Sequence, residues 1–293
     1  MFDVVIPVYK TRPEHLREAI DSVIAQSCTE WEIYISDGTP EDHEWHSSKV
    51  LADYDLERIH ILQQEGKGIS NARNQAGKAG TQPFIATLDS DDTWYELKLE
   101  YYKQLIVEKP NTKIIWGRAN IPIKFTSPKG NQYEYHAAGG ILKNWEQTLP
   151  QHRWFRVGWN PLMTSTQIYG REVLEEVGWW DEYRTMGEDT ALNVSILKLY
   201  PNDCIQVEAA TGTYRVHPLQ TTKGGESHGA ESGILVKGRP DTFDNMVAQL
   251  REDDPSIDED YWNALIATMN EERQAGENER IQYSMRTGER EYV

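Results

Sequence analysis

Three carboxylates fall within four residues of the chain, at Asp89, Asp91 and Asp92 in the stretch FIATLDSDDTW. Like charges this close together repel one another unless a cation or solvent compensates them. The apolar run before them predicts a buried strand, so the acids would lie at the edge of a sheet. Oxygen ligands suit Mg2+ or Mn2+, particularly where phosphates complete the coordination. The alternative is a helix start at which Asp92 or Thr93 is the cap.

Two further side chains suit the binding of a nucleotide. Tyr9 ends the first apolar run, where its ring could stack on a nucleobase. Asp37 ends the second run, where its carboxylate could accept the imide N–H of a uracil or thymine. The alternative for Asp37 and Gly38 is a plain turn.

The elements that would position these residues alternate between apolar strands and amphipathic helices. Continuous apolar strands in such an order predict a mostly parallel α/β sheet. Ligands bind beyond the carboxyl ends of the strands in such sheets, and Tyr9, Asp37 and Asp89 all follow strand ends. The predicted strands are residues 2–9, 31–36, 58–62, 83–88 and 113–117.

Capping-box spacing predicts where two helices of this half begin. Thr11 with Glu14, and Thr93 with Glu96, have the spacing at which two side chains cap a helix reciprocally. The second of these helices would run to about residue 109, before a proline.

The second half of the sequence is less regular. Residues 118–165 are rich in aromatic residues, proline and glycine and predict short strands and loops over the sheet edge. Beyond them, the pattern predicts helices at 171–178, 189–201 and 257–275 and short strands at 204–208 and 212–217.

Composition limits the class of partner. The chain has 293 residues and a formal net charge of −17, so its surface as a whole repels nucleic acid and anionic lipid. An anionic substrate would need a local basic pocket or a bound metal. The cysteines, Cys28 and Cys204, predict no disulfide framework. No stretch predicts a membrane span or signal peptide, so we expect a cytoplasmic protein.

An ordered set of motifs resembles a known family. PVY ends the first strand, SDGT follows the second, GKGISNARN opens a helix and LDSDD follows a later strand. In this order they resemble the inverting, nucleotide-sugar-dependent glycosyltransferases of family 2, which have a GT-A fold with a Rossmann-like central sheet. Ser36 stands where the family usually has the first acid of the turn. The resemblance covers about residues 1–220.

The resemblance implies a domain division and a donor site. Residues 1–220 would be the glycosyltransferase domain, with a nucleotide-sugar-binding half at 1–117, an acceptor and catalytic half at 118–220, and an acidic C-terminal extension with a helix at 221–293. The implied metal is Mn2+ or Mg2+, bound by Asp91 and by His217, which follows a late strand. The implied donor-binding residues are Pro7, Tyr9, Asp37, Arg73, Asp89 and Ser90.

A later segment, GWWDEYRTMGEDTALNVSI, matches the part of the family that carries the catalytic base. The resemblance implies that Asp189 is the base and that Glu188 holds the acceptor or orients its neighbour. A carboxylate suits this chemistry because an acceptor hydroxyl must lose its proton as it attacks the sugar. The alternative is that both acids only complement the N-terminus of a helix.

The function expected from these residues is transfer of a sugar from a UDP or other pyrimidine nucleotide donor to a hydroxyl of a glycan or other acceptor. Polysaccharide or glycoconjugate synthesis would use such a transfer. A sugar-phosphate nucleotidyltransferase is one alternative, although PVYKTRPEHL lacks the glycine-rich loop which that class has after its first strand. A non-catalytic relative that binds nucleotide-sugars is another. The oligomeric state is left open, with a homo-oligomer as one alternative.

Overall fold

A mixed α/β sheet flanked by helices organises the chain, which confirms the expected fold class. The computed structural model describes residues 1–126, 132–159, 162–184, 187–217, 251, 258–269 and 271. The strands are β1 Phe2–Val8, β2 Trp31–Asp37, β3 Ile59–Gln63, β4 Phe84–Thr87, β5 Thr93–Trp94, β6 Ile114–Thr126, β7 Gln132–Gly139, β8 Ile168–Gly170 and β9 Cys204–Thr213.

The helices lie on both faces of the sheet. The α-helices are α1 Pro13–Ile24, α2 Ser47–Val50, α3 Gly68–Ala79, α4 Lys98–Glu108, α5 Arg153–Trp159, α6 Arg171–Val177 and α7 Glu188–Leu199. Short 3-10 turns occur at Trp145–Gln147, Pro150–His152 and Thr164–Thr166. Residues 259–269 are also helical and are called the C-terminal helix below.

Strand order places the predicted ligand-binding edge at the centre of the sheet. The order is β3-β2-β1-β4-β8-β6-β9-β5, and β7 pairs with β6. The pairs β3-β2, β2-β1 and β1-β4 are parallel, as expected, whereas β8 runs antiparallel to both β4 and β6. The carboxyl ends of β1, β2 and β4 therefore meet at one edge.

The core has two layers because β1 is buried on both faces. Val4 and Ile6 pack with α1 on one face, whereas Val5 packs on the other face with residues such as Ile85 and Trp116. This burial explains the continuous apolar run of β1, since a strand with no solvent face has no polar positions to alternate.

The two capping-box predictions are wrong. Helix α1 does begin at the predicted proline, but no side chain caps it, and the Thr11 hydroxyl lies 2.7 Å from Ser90 Oγ. Helix α4 begins at Lys98, because Thr93 and Trp94 form the short strand β5 against β9. Thr11 contacts the loop after β4, and Thr93 pairs with strand β9. These contacts take the place of helix capping, so the capping-box spacing alone does not predict where the helices begin.

The predicted irregular region also contains more sheet than expected. The strand predicted at 113–117 continues to Thr126 and forms a hairpin with β7. The strand predicted at 204–208 continues to Thr213 as β9, whose pairing with β6 shifts register near Arg118. A bulge of this kind interrupts the alternation that makes a strand recognisable. The second strand predicted, at 212–217, is wrong beyond Thr213, because residues 214–217 are not in a strand.

The C-terminal helix packs on the region around α5. Its Trp262, Leu265 and Met269 are buried at helical spacing. The Tyr261 hydroxyl accepts a hydrogen bond from Leu149 N at 2.9 Å. The boundary predicted at residue 220 and most of the 221–293 extension lie outside the described residues, so the domain division stays a prediction.

No helix in the described part of the chain combines the length and apolar character that crossing a bilayer requires. The cytoplasmic location stays a prediction.

Candidate active site

The loop after β4 separates the three clustered acids by burial. Asp92 N donates to Asp89 O at 3.0 Å, which closes a tight turn. About a quarter of the side chain remains exposed at Asp89, with 27%, and at Asp91, with 24%, whereas Asp92 is buried. Two carboxylates therefore face the sheet edge and the third faces the protein interior.

Asp92, the third of the clustered acids, has a structural role inside the protein. Its carboxylate accepts hydrogen bonds from Ser165 Oγ and from Arg215 N, the latter at 2.8 Å. Burial, reinforced by the charges of Asp91 and Asp89, raises the pKa of Asp92 well above its ordinary value. Asp92 caps no helix, and it joins the loop after β4 to the segment that carries His217.

The two predicted metal ligands are adjacent. His217 Nε2 lies 2.7 Å from Asp91 Oδ2. Burial and the nearby charge of Asp89 raise the pKa of Asp91, and the contact with His217 opposes that rise. A divalent cation would relieve the repulsion between the two acids, and carboxylate and imidazole are ligands that Mn2+ accepts. The residues therefore fit the implied metal.

The described residues contain no cluster of three His, Cys, Asp or Glu side chains around a single point. A cation held by Asp91 and His217 would thus have most of its coordination positions open to donor oxygens, as is usual for Mg2+ bound with phosphates.

Arg73 connects the two acidic segments of the site. It is 2% exposed, and it donates from Nη1 to Glu188 Oε1 at 2.7 Å and from Nη2 to Asp89 Oδ1 at 2.9 Å. Burial opposes its charge, but the carboxylates of Asp89 and Glu188 prevail and raise the pKa of Arg73 above its ordinary value. The guanidinium of Arg73 thereby links the loop after β4 to the start of α7.

The remainder of helix α3 attaches to the same segment. Asn74 Nδ2 donates to Trp180 O at 2.8 Å, and Trp180 N donates to Asn74 Oδ1 at 3.0 Å. Glu182 accepts hydrogen bonds from Asn71 and Asn74, both on α3. The turn before α7 is therefore bound along one face of α3.

Glu188 and Asp189 have different surroundings although they are neighbours. Helix α7 begins at Glu188, after Gly187 with a φ of +71°. Glu188 is buried against Arg73, and its burial raises its pKa even though Arg73 opposes the change. Asp189 is only partly buried; Oδ1 accepts from Thr190 N at 2.6 Å and Oδ2 from Thr164 Oγ1 at 2.8 Å. Of the two, Asp189 is the carboxylate that an acceptor could reach.

The predicted base-binding residues lie at the ends of β1 and β2. Pro7 is within β1, and the partly buried Tyr9 follows it. Asp37 is fully buried; its oxygens accept from Thr39 N at 2.8 Å and from Ser47 N at 2.7 Å. In this arrangement the Asp37 carboxylate orders its own loop, and its contact with a base stays a prediction.

Short polar side chains that the sequence prediction missed join these loops. Lys10 N donates to Thr39 Oγ1 at 2.7 Å, which ties the loops after β1 and β2. The contact of Thr11 with Ser90 ties the loops after β1 and β4. Ser165 and Thr164 contact the acids from the other half. Uncharged hydroxyls far from the acids in sequence give no motif that could have marked them.

Comparisons with known proteins identify the family. The sequence model described as Glycosyl transferase family 2 matches residues 3–177. The chain is 34% identical over 123 residues to the UDP-Glc:alpha-D-GlcNAc-diphosphoundecaprenol beta-1,3-glucosyltransferase WfgD of Escherichia coli, which covers 41% of this chain and 46% of that protein. It is 34% identical over 201 residues to the succinoglycan biosynthesis protein ExoW of Rhizobium meliloti, with 64% and 60% covered.

A third relative is the putative teichuronic acid biosynthesis glycosyltransferase TuaG of Bacillus subtilis, 32% identical over 112 residues, or 37% of this chain and 43% of that protein. The chain thus spans 43–60% of the lengths of these three relatives.

Solved structures share the fold. TarS 1-349 of S. aureus in complex with UDP has a TM-score of 0.53 at 19% identity, covering 74% of this chain and 61% of that one. The same protein in complex with UDP-GlcNAc has a TM-score of 0.57 at 16% identity, covering 92% and 71%.

Proposed function

The chain belongs to glycosyl transferase family 2, and from that premise we propose an inverting, divalent-metal-dependent glycosyltransferase. It would move a sugar from a UDP or other pyrimidine nucleotide donor to a hydroxyl of a glycan or other acceptor, in polysaccharide or glycoconjugate synthesis. The observation that carries the proposal is the double pairing of Arg73. Its buried guanidinium binds Asp89 of the predicted donor site and Glu188 of the predicted catalytic segment. One guanidinium therefore joins the two segments that the proposal needs for transfer.

The named relatives support the class of reaction. WfgD is named for transfer from a UDP sugar, and TuaG and ExoW are named for the synthesis of polymers. TarS, which shares the fold, has been solved with UDP and with UDP-GlcNAc. These names favour a uridine nucleotide as the donor and a polysaccharide precursor as the acceptor.

In the proposed donor complex, Asp91 and His217 hold Mn2+ or Mg2+, and Asp89 and Ser90 lie beside the donor. When bound, the cation would neutralise part of the negative charge that develops on the departing diphosphate. Tyr9 lies where a base could stack, at the end of the strand that contains Pro7. Asp37 keeps the neighbouring loop in shape through its bonds to Thr39 and Ser47.

In the proposed transfer, the acceptor oxygen bonds to the anomeric carbon as the bond from that carbon to the diphosphate breaks. The diphosphate leaves with the electron pair, and the acceptor proton passes to the carboxylate of Asp189. One displacement of this kind inverts the anomeric centre. Glu188 holds Arg73, and Arg73 in turn holds Asp89 beside the donor.

A panel of sugar nucleotides tests the proposal directly. We expect UDP-glucose or UDP-GlcNAc to raise the unfolding temperature in the presence of Mn2+ but not EDTA, because a ligand that binds only the folded state stabilises it. We also expect slow release of UDP to water, which needs no knowledge of the acceptor. Binding without any release would identify a non-catalytic relative, and no stabilisation by any nucleotide would contradict the donor site.

Asp189→Asn separates binding from chemistry in the same assay. We expect the variant to keep the nucleotide-dependent rise in unfolding temperature and to lose UDP release by about 10²- to 10⁴-fold, the usual contribution of a general base. Turnover equal to that of the unchanged protein would remove Asp189 from the mechanism.

A further inference from the structure

The 3-10 turn Thr164–Thr166 lies between the two acidic segments and is fixed by buried donors. Thr87 Oγ1 donates to Thr164 O at 2.6 Å, on the side of β4. Trp94 Nε1 and Lys98 Nζ donate to Ser165 O, at 2.6 and 2.7 Å. The backbone of the turn is therefore bound to β4, β5 and α4, all of which lie in the donor half.

The hydroxyl of Thr164 points away from those anchors to Asp189. It donates to Asp189 Oδ2 at 2.8 Å, and Thr164 is 8% exposed. The second oxygen, Oδ1, accepts from Thr190 N at 2.6 Å, at the start of α7. The Thr190 hydroxyl also lies 3.4 Å from Oδ1. Donors from two different elements, its own helix and the turn, thus fix the plane of the carboxylate.

The next residue of the turn binds the donor-side acids. Ser165 Oγ donates to Asp92 and accepts from Asp89 N at 3.1 Å. Consecutive hydroxyls therefore contact the loop after β4 and the carboxylate of Asp189. The turn therefore sets the spacing between the loop after β4 and the carboxylate of Asp189.

We propose that Thr164 is a positioning residue of the transfer reaction, whose hydroxyl orients the carboxylate of Asp189 that receives the acceptor proton. This inference rests on the proposed function. A general base acts only from within hydrogen-bonding distance of the proton that it takes. Without the hydroxyl of Thr164, the carboxylate of Asp189 loses the hydrogen bond that fixes the position of Oδ2.

The test compares variants of nearly equal shape. Thr164→Val and Thr164→Ala remove the hydroxyl, and Thr164→Ser keeps it. Thr166→Val is the matched control, because the Thr166 hydroxyl lies in the same turn, in a fully buried residue, but donates to Met163 O. The measurements are the kcat of UDP release from UDP-glucose or UDP-GlcNAc with Mn2+ and the KM of the donor.

We expect both hydroxyl-free variants to lower kcat by about tenfold or more, as loss of a hydrogen bond to a charged group predicts. The donor KM should stay unchanged, because the hydroxyl acts on the base and not on donor binding. Thr164→Ser should restore kcat. An unchanged kcat in Thr164→Val and Thr164→Ala, a KM that rises with the loss of kcat, or an equal loss in Thr164→Ser or Thr166→Val, would overturn the proposal.

A second readout does not depend on turnover. Carboxyl carbon NMR of the full chain can observe Asp189, whose signal is assigned by its absence from Asp189→Asn. At one fixed pH we expect the chemical shift of this carbon to change in Thr164→Val and to be restored in Thr164→Ser, and an unchanged shift would contradict the inference. Absence of UDP release from the unchanged protein would overturn the proposed function, while this spectrum would still decide whether the hydroxyl of Thr164 acts on Asp189.

Discussion

At the scale of single residues, Arg73 decides the arrangement of the site. Its guanidinium is removed from solvent and is paired with Asp89 and Glu188. A buried charge is costly unless it is paired, and its removal leaves the partners uncompensated. The same residue is therefore important for stability and for keeping the two acidic segments together.

Arg73→Met should destabilise the folded chain by about 3–5 kcal/mol, because two partly buried carboxylates lose their shared cation. Urea unfolding measures the effect. Arg17→Met is the matched control, since Arg17 pairs with Asp53 on the surface and such pairs contribute little to stability. The double variant Arg73→Met with Glu188→Gln should recover part of the loss. Equal stabilities of the two single variants would refute the assigned role.

Asp91→Asn should have opposite effects on stability and on binding. We expect loss of the Mn2+-dependent rise in unfolding temperature with UDP, because one of two protein ligands is gone. Without nucleotide the variant should be at least as stable as the unchanged protein, because the repulsion between Asp91 and Asp89 is removed.

Asp53→Asn, at an exposed acid, controls for the change of charge and should leave the Mn2+ effect intact. A Mn2+ effect that survives in Asp91→Asn would place the cation elsewhere.

At the scale of elements, helix α3 holds the turn before α7. Asn74 exchanges two hydrogen bonds with the backbone of Trp180, and Gly77 of the same helix lies against the ring of Trp179. A Cβ at Gly77 would lie 2.7 Å from that ring, so the close approach needs glycine. The uncharged side chain of Asn74 and the close approach of Gly77 thus hold the turn on the helix, together with the hydrogen bonds that Glu182 accepts.

Asn74→Ala should destabilise the chain by about 2–3 kcal/mol, because it leaves buried backbone groups of Trp180 without partners. Thermal or urea unfolding measures this change. Asn74→Asp should cost at least as much, since it keeps the acceptor for Trp180 N but places a charge beside Glu182. Gln104→Ala, at an exposed position of helix α4, should be nearly neutral, and an equally small loss in Asn74→Ala would contradict the proposed seating.

The sequence pattern predicts the elements of the first half well because their strands are buried and apolar on both faces. It fails at helix starts, because the Thr11 hydroxyl contacts Ser90 in the loop after β4 and Thr93 belongs to strand β5. For the site, clustered acids and motif order lead to Asp89, Asp91 and Glu188. The sequence does not reveal Thr164 and Ser165, because their partners are far away along the chain and no motif contains both. Ser165, for example, lies 73 and 76 positions from its partners Asp92 and Asp89.

At the scale of the whole molecule, the C-terminal helix belongs to the same packed unit as the acceptor half. Trp262 is 2% exposed, and its ring stacks on His152 with the centroids 5.8 Å apart. Helix α5, which begins directly after His152, packs in turn against α7, which carries Asp189. The end of the described chain therefore supports the helix of the candidate base.

Trp262→Ala should lower the stability of the chain by about 3–5 kcal/mol, as expected for removal of a buried aromatic side chain. Urea unfolding measures the loss, and Asn263→Ala, one exposed position further along the helix, is the control. If the two variants unfold at the same urea concentration, the C-terminal helix does not contribute to the stability of the acceptor half.

The pairing of Asp91 with His217 spans 126 positions of sequence, and that of Arg73 with Glu188 spans 115. During synthesis on a ribosome, the segment with Asp91 would emerge long before its imidazole partner. A nascent chain could thus complete β1–β4 and still lack one of the two predicted metal ligands. If those ligands are the ones proposed, activity would begin only once His217, which follows β9, has left the exit tunnel, and a translation product truncated before it would be inert rather than partly active.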